Sequence, residues 1–480
     1  MRWLRLCFAC WVLWVFGAPA GNLNPELERA LLRRGTHADT AVIVYMTDPV
    51  ELQTLAVGAR NQRNGRLMRM LQQRAAHNRQ LLAPMLAMLD VKQVKDLWLI
   101  NAIALTVPAN ELKQLAAHPA VARVDLDAFV QGGRSQRTPI APKTSPFDVI
   151  PPPVTATPAQ QSVSQATQNL DTEWNISAVH ANALWAQGFK GAGVVVATMD
   201  TGVDLWHPML WRKWRGGSNS WFDPHGEQVT PYDALGHGTQ ALGLMVGDAG
   251  LGVAPEATWI AVRLFNAEGR ASMSDIHKAF QWLLDPDGNP DTLDAPDVVN
   301  ASWALTGRSA GTCLMEFSQD IATLKATGIA VVFAAGNDGP KPGTSNSPGN
   351  NPGVMSVGAI DKDGAVSRQT SRGPSACDGA VFPRVLAPGV GVRTTDLSHG
   401  GQASYTAVSG SSLAAPHVSG VLALLAGAAP GASVAELEAA VLASAQPVLD
   451  GASSGSMPGR LDALAALRLL PSTALAAPVK

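Results

Sequence analysis

From Asp171 to about Leu470 the chain repeats one compositional pattern, a short and nearly continuous apolar run followed by a longer helical stretch. The runs are Val194 to Met199, Thr258 to Val262, Asp297 to Val299, Ile329 to Phe333 and Val354 to Val357. A strand with one face in water alternates apolar and polar residues. A run without alternation belongs to a strand covered on both faces. Strands of that kind, separated by helices, predict an α/β region built on a doubly wound, mostly parallel sheet. Open sheets of this type hold their chemistry at the carboxyl ends of the strands.

The residues before this region divide into three parts. Arg2 and Arg5 precede an apolar run from Leu6 to Phe16 and then Ala18-Pro19-Ala20, which is the three-part pattern of a secretory signal peptide over residues 1–20. Residues 21–131 alternate strand-like and helical segments: Ala41 to Tyr45, Asn61 to Leu89, Leu97 to Val107, Ala109 to Ala117, and Val121 to Val124. That pattern predicts a small β-α-β-α-β, α+β domain of ferredoxin-like type. Residues 132–170 carry Pro139, Pro142, Pro146, Pro151, Pro152, Pro153 and Pro158 among Ser, Thr and Gln. They are expected to form an exposed linker with little regular hydrogen bonding. Residues 471–480 read as a tail. After the leader, no stretch reads as long and apolar enough to cross a bilayer.

Lys plus Arg number 36 against 38 Asp plus Glu, a net charge of −2, so electrostatics give no case for a nucleic-acid partner. Of four cysteines, Cys7 and Cys10 lie in the leader. Cys313 and Cys377 remain as a candidate disulfide in an exported product, secreted or periplasmic.

Three segments of the large region carry chemistry-bearing side chains. Val194 to Gly202 sets Asp200 at the end of a buried strand, Leu235-Gly236-His237-Gly238-Thr239 sets a histidine at a helix entry, and Gly410-Ser411-Ser412 sets a serine at another. Acid, histidine, serine is one of the three chain orders known for a Ser-His-Asp triad. With Gly252-Val253-Ala254-Pro255, Val299-Asn300-Ala301-Ser302-Trp303 and Ala334-Ala335-Gly336-Asn337, the region resembles the subtilisin-like serine peptidases over roughly residues 171–445.

The resemblance implies a serine endopeptidase made as a zymogen, with Ser412 as nucleophile, His237 as general base and Asp200 holding the imidazole. It implies an oxyanion hole from the Asn337 side chain and the Ser412 N–H. Ser302, Trp303 and Ala304 match the strand that pairs with an extended substrate, and residues 21–131 resemble the inhibitory propeptide. Protein or peptide substrates and the chain's own propeptide are the implied partners. No cofactor, no metal ligand, no membrane contact after leader removal and a monomeric state are expected. Two other readings use the same fold: a transpeptidase or macrocyclase, and a catalytically inactive binding protein.

Other residues have plainer readings. A lone Asp-Thr-Gly lacks the second carboxylate that aspartic peptidases require. His417, five positions beyond Ser412, points about 140° away around a helix and reads as packed, as does His207. Ser411 stands for the usual Thr, Gln240 for a second His, Ala304 for Gly and Leu413 for Met. The loop from Val246 to Leu251 offers only Asp248, which makes calcium at the family's usual loop doubtful. The base of the specificity pocket, near Ser345 to Pro348, contains no acid, so a preference for Arg or Lys is not indicated.

Overall fold

The computed structural model describes residues 22–33, 37–48, 60–132, 136–139, 172–305, 310–448 and 457–471. The leader, most of the linker and nearly all of the tail lie outside the described residues. The chain divides into two compact units.

The first unit holds strands β1 (Asn22–Leu23), β2 (Asp39–Met46), β3 (Lys92–Leu97), β4 (Ala102–Pro108) and β5 (Val121–Leu126) in the order β1-β5-β2-β4-β3. Helices α1 (Pro25–Leu31), α2 (Arg60–Leu86) and α3 (Leu112–Ala116) lie between them in the chain. Strands β2 to β5 pair antiparallel in the ferredoxin-like order. Val42, Val44, Ile103, Leu105, Val121 and Val124 form the sheet's part of the core. One expectation changes. The apolar stretch Leu97 to Val107 is not a single strand, because a 3-10 turn at Trp98–Ile100 and Asn101 at φ 52° fold it into a hairpin with β3. Leu99 and Ile100 stay buried in the turn, so hydrophobicity hides the break.

The second unit takes in the first part of α2, up to Leu71, and resumes with β6 (Phe129–Gln131) and β7 (Gln136–Pro139). Both fall near or within the expected linker, yet β6 pairs antiparallel with β11 (Arg270–Ser272) and β7 with β17 (Gln402–Ser409). Such pairing uses backbone groups alone, so no apolar periodicity announces it. After α4 (Trp174–Ala178) and α5 (Ala181–Trp185) come β8 (Val195–Asp200), β9 (Trp221–Phe222), α6 (His237–Val246) and β10 (Thr258–Arg263). Beyond β11 follow α7 (Met273–Leu284), β12 (Val298–Ala301), α8 (Ser318–Ala326), β13 (Ala330–Ala334), β14 (Met355–Ile360), β15 (Val385–Pro388) and β16 (Val392–His399). After β17 come α9 (Ser411–Ala428), α10 (Val434–Ala443) and α11 (Ala463–Leu469).

Seven strands form a sheet in the order β15-β14-β13-β12-β8-β10-β9, with every pairing parallel. The five expected apolar runs are five of these strands; β9, of two residues, and β15, of four, lie at the two edges and were not expected. Helix α9 is apolar on all sides and packs on the sheet. It meets the length and hydropathy of a membrane span, contrary to expectation, but 89% of it is buried inside the protein. A helix hydrophobic all round is also what the centre of a large core requires.

Candidate active site

Three elements bring the chemistry to the carboxyl edge of the sheet. β8, between β10 and β12, ends on Asp200. Its Oδ1 accepts the Thr201 N–H at 2.7 Å and lies 2.8 Å from His237 Nδ1, with both side chains buried. A carboxylate can only accept, so Nδ1 carries the proton of the neutral imidazole and Nε2 is its basic nitrogen.

His237 opens α6, and that end is fastened tightly. Asp233 Oδ1 accepts the N–H groups of Leu235 and Gly236 at 2.9 and 2.8 Å, and Oδ2 accepts Thr239 N–H and Oγ1–H at 3.0 and 2.7 Å. One buried carboxylate thereby satisfies four donors where a helix leaves its amides unpaired. Thr201 Oγ1 accepts the Gly238 N–H at 2.9 Å, tying the helix directly to the strand turn that follows Asp200. A Cβ on Gly238 would stand 2.1 Å from Gly202 O, so only glycine allows this approach.

Ser412 lies in the first turn of α9, four residues before Pro416. Proline has no N–H, so the Ser412 carbonyl loses its helical donor. Ser302 Oγ supplies it at 2.6 Å and itself accepts from Asn300 Nδ2 at 2.8 Å, while Asn300 Oδ1 accepts Ser419 Oγ–H at 3.0 Å. The Ser302 side chain is therefore spent on holding the Ser412 backbone. Trp303 is buried edge-on against Phe265, Phe317 and Phe333, and Ala304 is buried too. Only their backbone is left to serve a substrate strand.

Asn337 follows β13. Its Oδ1 accepts both Ser411 N–H (2.9 Å) and Ser411 Oγ–H (3.0 Å), and Ser411 Oγ also accepts the Gly336 N–H at 3.1 Å. With Oδ1 committed, Nδ2 turns toward Gly410: a Cβ there would lie 3.4 Å from Asn337 Nδ2 and 3.2 Å from Ser412 Oγ. Gly410, at φ 147°, keeps the space between Ser412 Oγ and Asn337 Nδ2 open.

His417 stands apart, as the helix geometry predicts. Its Nδ1 donates to Leu413 O at 2.9 Å and its Nε2 accepts from Asn175 Nδ2 at 2.9 Å. Burial pushes it down to about 4, so it is a neutral packing group. His207 is likewise engaged, with Nε2 at 3.0 Å from Ser404 O. Asp248 and the Val246 carbonyl, the oxygens of the short loop, both bind the Lys213 ammonium at 2.5 Å. Cys313 and Cys377 form a disulfide with Cα atoms 4.8 Å apart.

Sequence reasoning missed Asp233, Thr201, Asn300 and the locking role of Ser411. Asp233 had a signal, since an aspartate a few residues ahead of an apolar helix is a capping pattern. It also missed Asp338, whose Oδ2 accepts from Asn346 Nδ2 at 2.7 Å and so brings an acid beside the Ser345 to Pro348 segment.

A family model described as "Subtilase family" matches residues 191–461. The chain belongs to the subtilase family. That family's members are serine-type endopeptidases. The chain is 33% identical over 384 residues to bacillopeptidase F of Bacillus subtilis (strain 168), covering 75% of this chain and 25% of that protein. It is 31% identical over 341 residues to subtilisin E of the same strain, covering 70% and 72%, and 34% identical over 266 residues to alkaline elastase YaB of Bacillus sp. (strain YaB), covering 55% and 62%. The chain thus spans a quarter of bacillopeptidase F and under two thirds of the elastase.

Proposed function

We propose that this chain is the precursor of an exported serine endopeptidase that works through Asp200, His237, Ser412 and an acyl-enzyme. The observation that carries the reading is the Asp200–His237 pair, 2.8 Å apart and buried at the strand ends, with α6 and α9 packed together behind it. His237 Nε2 takes the Ser412 proton as Oγ attacks the peptide carbonyl, then returns that proton to the leaving amine. Asp200 stabilises the imidazolium formed between these steps. The developing oxyanion takes hydrogen bonds from Asn337 Nδ2 and the Ser412 N–H. Water repeats the sequence on the acyl-enzyme and frees Ser412.

The first unit serves as the inhibitor of the tethered enzyme, where covalent linkage gives it a high effective concentration. Maturation begins with a cut between Gly132 and Gln136. Two pairings support this: β6 is held by β11, with Gly132 N–H on Gly269 O at 2.7 Å, and β7 is held by β17, whose last residue Ser409 is followed by Gly410 and the nucleophile's turn. The side chain ahead of the scissile bond lies near Asp338 and Asn346, which favours a basic residue there.

A fluorophosphonate probe on the purified full chain, followed by N-terminal sequencing, tests all three parts. The reading expects one labelled band, lost in Ser412→Ala, with a new N-terminus between residues 133 and 136. Labelling that survives Ser412→Ala removes Ser412 from the mechanism, and equal processing of that variant overturns self-maturation.

A further inference from the structure

Between α7 and β12 the chain reads Asp285-Pro286-Asp287-Gly288-Asn289-Pro290-Asp291-Thr292-Leu293-Asp294. Among the described residues, Asp285, Asp287 and Asp294 can bring one carboxylate oxygen each within 4.8 Å of one another. Acidic loops are common, and proximity alone would mean little. The decisive observation is Asp285. Asp285 is over nine-tenths buried, and beyond the electrostatic pull of the Asn289 backbone N–H no hydrogen bond of ordinary geometry reaches either of its carboxylate oxygens. A buried carboxylate so placed, facing two others, is costly unless a cation joins it.

The neighbours do not relieve it. The Asn289 N–H, the nearest backbone help, is donated to Asp287 Oδ1 at 2.8 Å, and Thr292 Oγ1 is also taken up by Asp287. Asp294 Oδ2 accepts from Asn219 Nδ2 at 3.0 Å, Arg215 donates to the Asp294 backbone carbonyl, and Arg69 pairs with Asp291 at 2.6 Å. Burial first, then the charges of Asp294 and Asp287, push the Asp285 carboxyl up to about 6.

We propose that Asp285, Asp287 and Asp294 form a calcium site. Two oxygens bound to one ion at about 2.4 Å can be no more than about 4.8 Å apart, the span these three already keep. The site is graded in burial, with Asp285 buried, Asp294 intermediate and Asp287 exposed, so the ion enters from the solvent side and water completes its shell. No metal ligand is expected from the sequence, and in the usual family loop the Asp248 carboxylate and the Val246 carbonyl bind Lys213. The proposed site lies elsewhere, in the segment leading into β12 and so to Asn300 and Ser302, which hold the Ser412 carbonyl.

The test uses the full chain bearing Ser412→Ala to prevent self-digestion, alone and with Asp285→Asn or Asp287→Asn. Calcium binding is measured by equilibrium dialysis, terbium binding by tryptophan-sensitised luminescence, and stability by thermal melting. Free calcium at about a hundred times its dissociation constant is expected to raise the melting midpoint by about 3–4 °C in the parent. Either Asn variant should lose one bound ion and most of that rise. In chelator, Asp285→Asn should melt at or above the parent, since it removes a buried, repelled charge; a merely structural aspartate would move the other way. Should Asp285→Asn fail to fold, Asp294→Asn at the half-exposed position gives the same comparison. Equal calcium stoichiometry and equal midpoint shifts in parent and variants overturn the site, and an equal response to magnesium overturns its assignment to calcium.

Discussion

Gly238→Ala adds one methyl group and should disable the enzyme. The new Cβ would stand 2.1 Å from the Gly202 carbonyl oxygen and 3.2 Å from Asp200 Cβ. A carbon–oxygen contact relaxes only near 3.3 Å, so the strand turn and the helix start must part by about 1.2 Å. That displacement falls on the two bonds that join them, Asp200–His237 at 2.8 Å and Gly238 N–H to Thr201 Oγ1 at 2.9 Å. Stretched by an ångström, neither remains a hydrogen bond. Misplacement of that size costs on the order of 10²-fold, and full loss of the aspartate's role about 10⁴-fold, so kcat/KM should fall between those limits with KM little changed. Helix propensity favours Ala over Gly by up to about 1 kcal/mol, and overpacking costs about 1–3 kcal/mol, leaving a modest net destabilisation. Hydrolysis of a chromogenic peptide and a thermal melt measure both effects. Gly431→Ala, where a Cβ meets nothing within 4 Å, is the control. A folded Gly238→Ala enzyme within fivefold of the parent would refute the steric argument.

Stability should fall on both sides of neutrality. His417 sits at about 4 when folded against an ordinary 6.5, so its contribution is present above pH 6.5 and is lost as pH falls toward 4, about 3 kcal/mol in all. Burial opposes charge on His277, but Asp320 and Glu316, at 3.0 and 3.1 Å, outweigh it and hold the imidazolium up to about 10. Its contribution is full below pH 6.5 and is lost as pH rises toward 10; denaturant titration across pH should show that limb, and a limb unchanged in His277→Gln would refute it. Removing the Cys313–Cys377 bridge, which spans 64 residues, should cost about 4 kcal/mol by loop entropy, and a loss below about 1 kcal/mol by urea unfolding would contradict it. Asp338→Asn should reduce kcat/KM for substrates with Lys or Arg ahead of the scissile bond by up to about fivefold relative to Leu, the scale of an exposed ion pair, and unchanged ratios would count against the pocket.

The sheet was legible because buried parallel strands leave continuous apolar runs, and Asp200, His237, Ser412 and Asn337 could be singled out as candidates because they sit in short, distinctive contexts at the ends of those elements. What stayed hidden depends on contacts distant in sequence. Nothing around Ser302 says that its hydroxyl replaces a donor removed by Pro416, 114 positions later by the numbering. Asp338 reads as an ordinary polar residue until folding sets it against Asn346. β7 escaped notice because its pairing is purely backbone, and the hairpin at Asn101 because its turn is as apolar as its strands.

The position of α9 in the chain has a bearing on biosynthesis. This helix packs against β8, β12, β13, β14 and β15 and also carries Ser412. A chain emerging N-terminus first exposes the aspartate and the histidine long before residue 411, but until then that face of the sheet lacks its central cover. The element that completes the core is also the one that carries Ser412. A truncated or half-made chain therefore has neither a finished fold nor Ser412 in place, and under the proposed mechanism it cannot cut before it is complete.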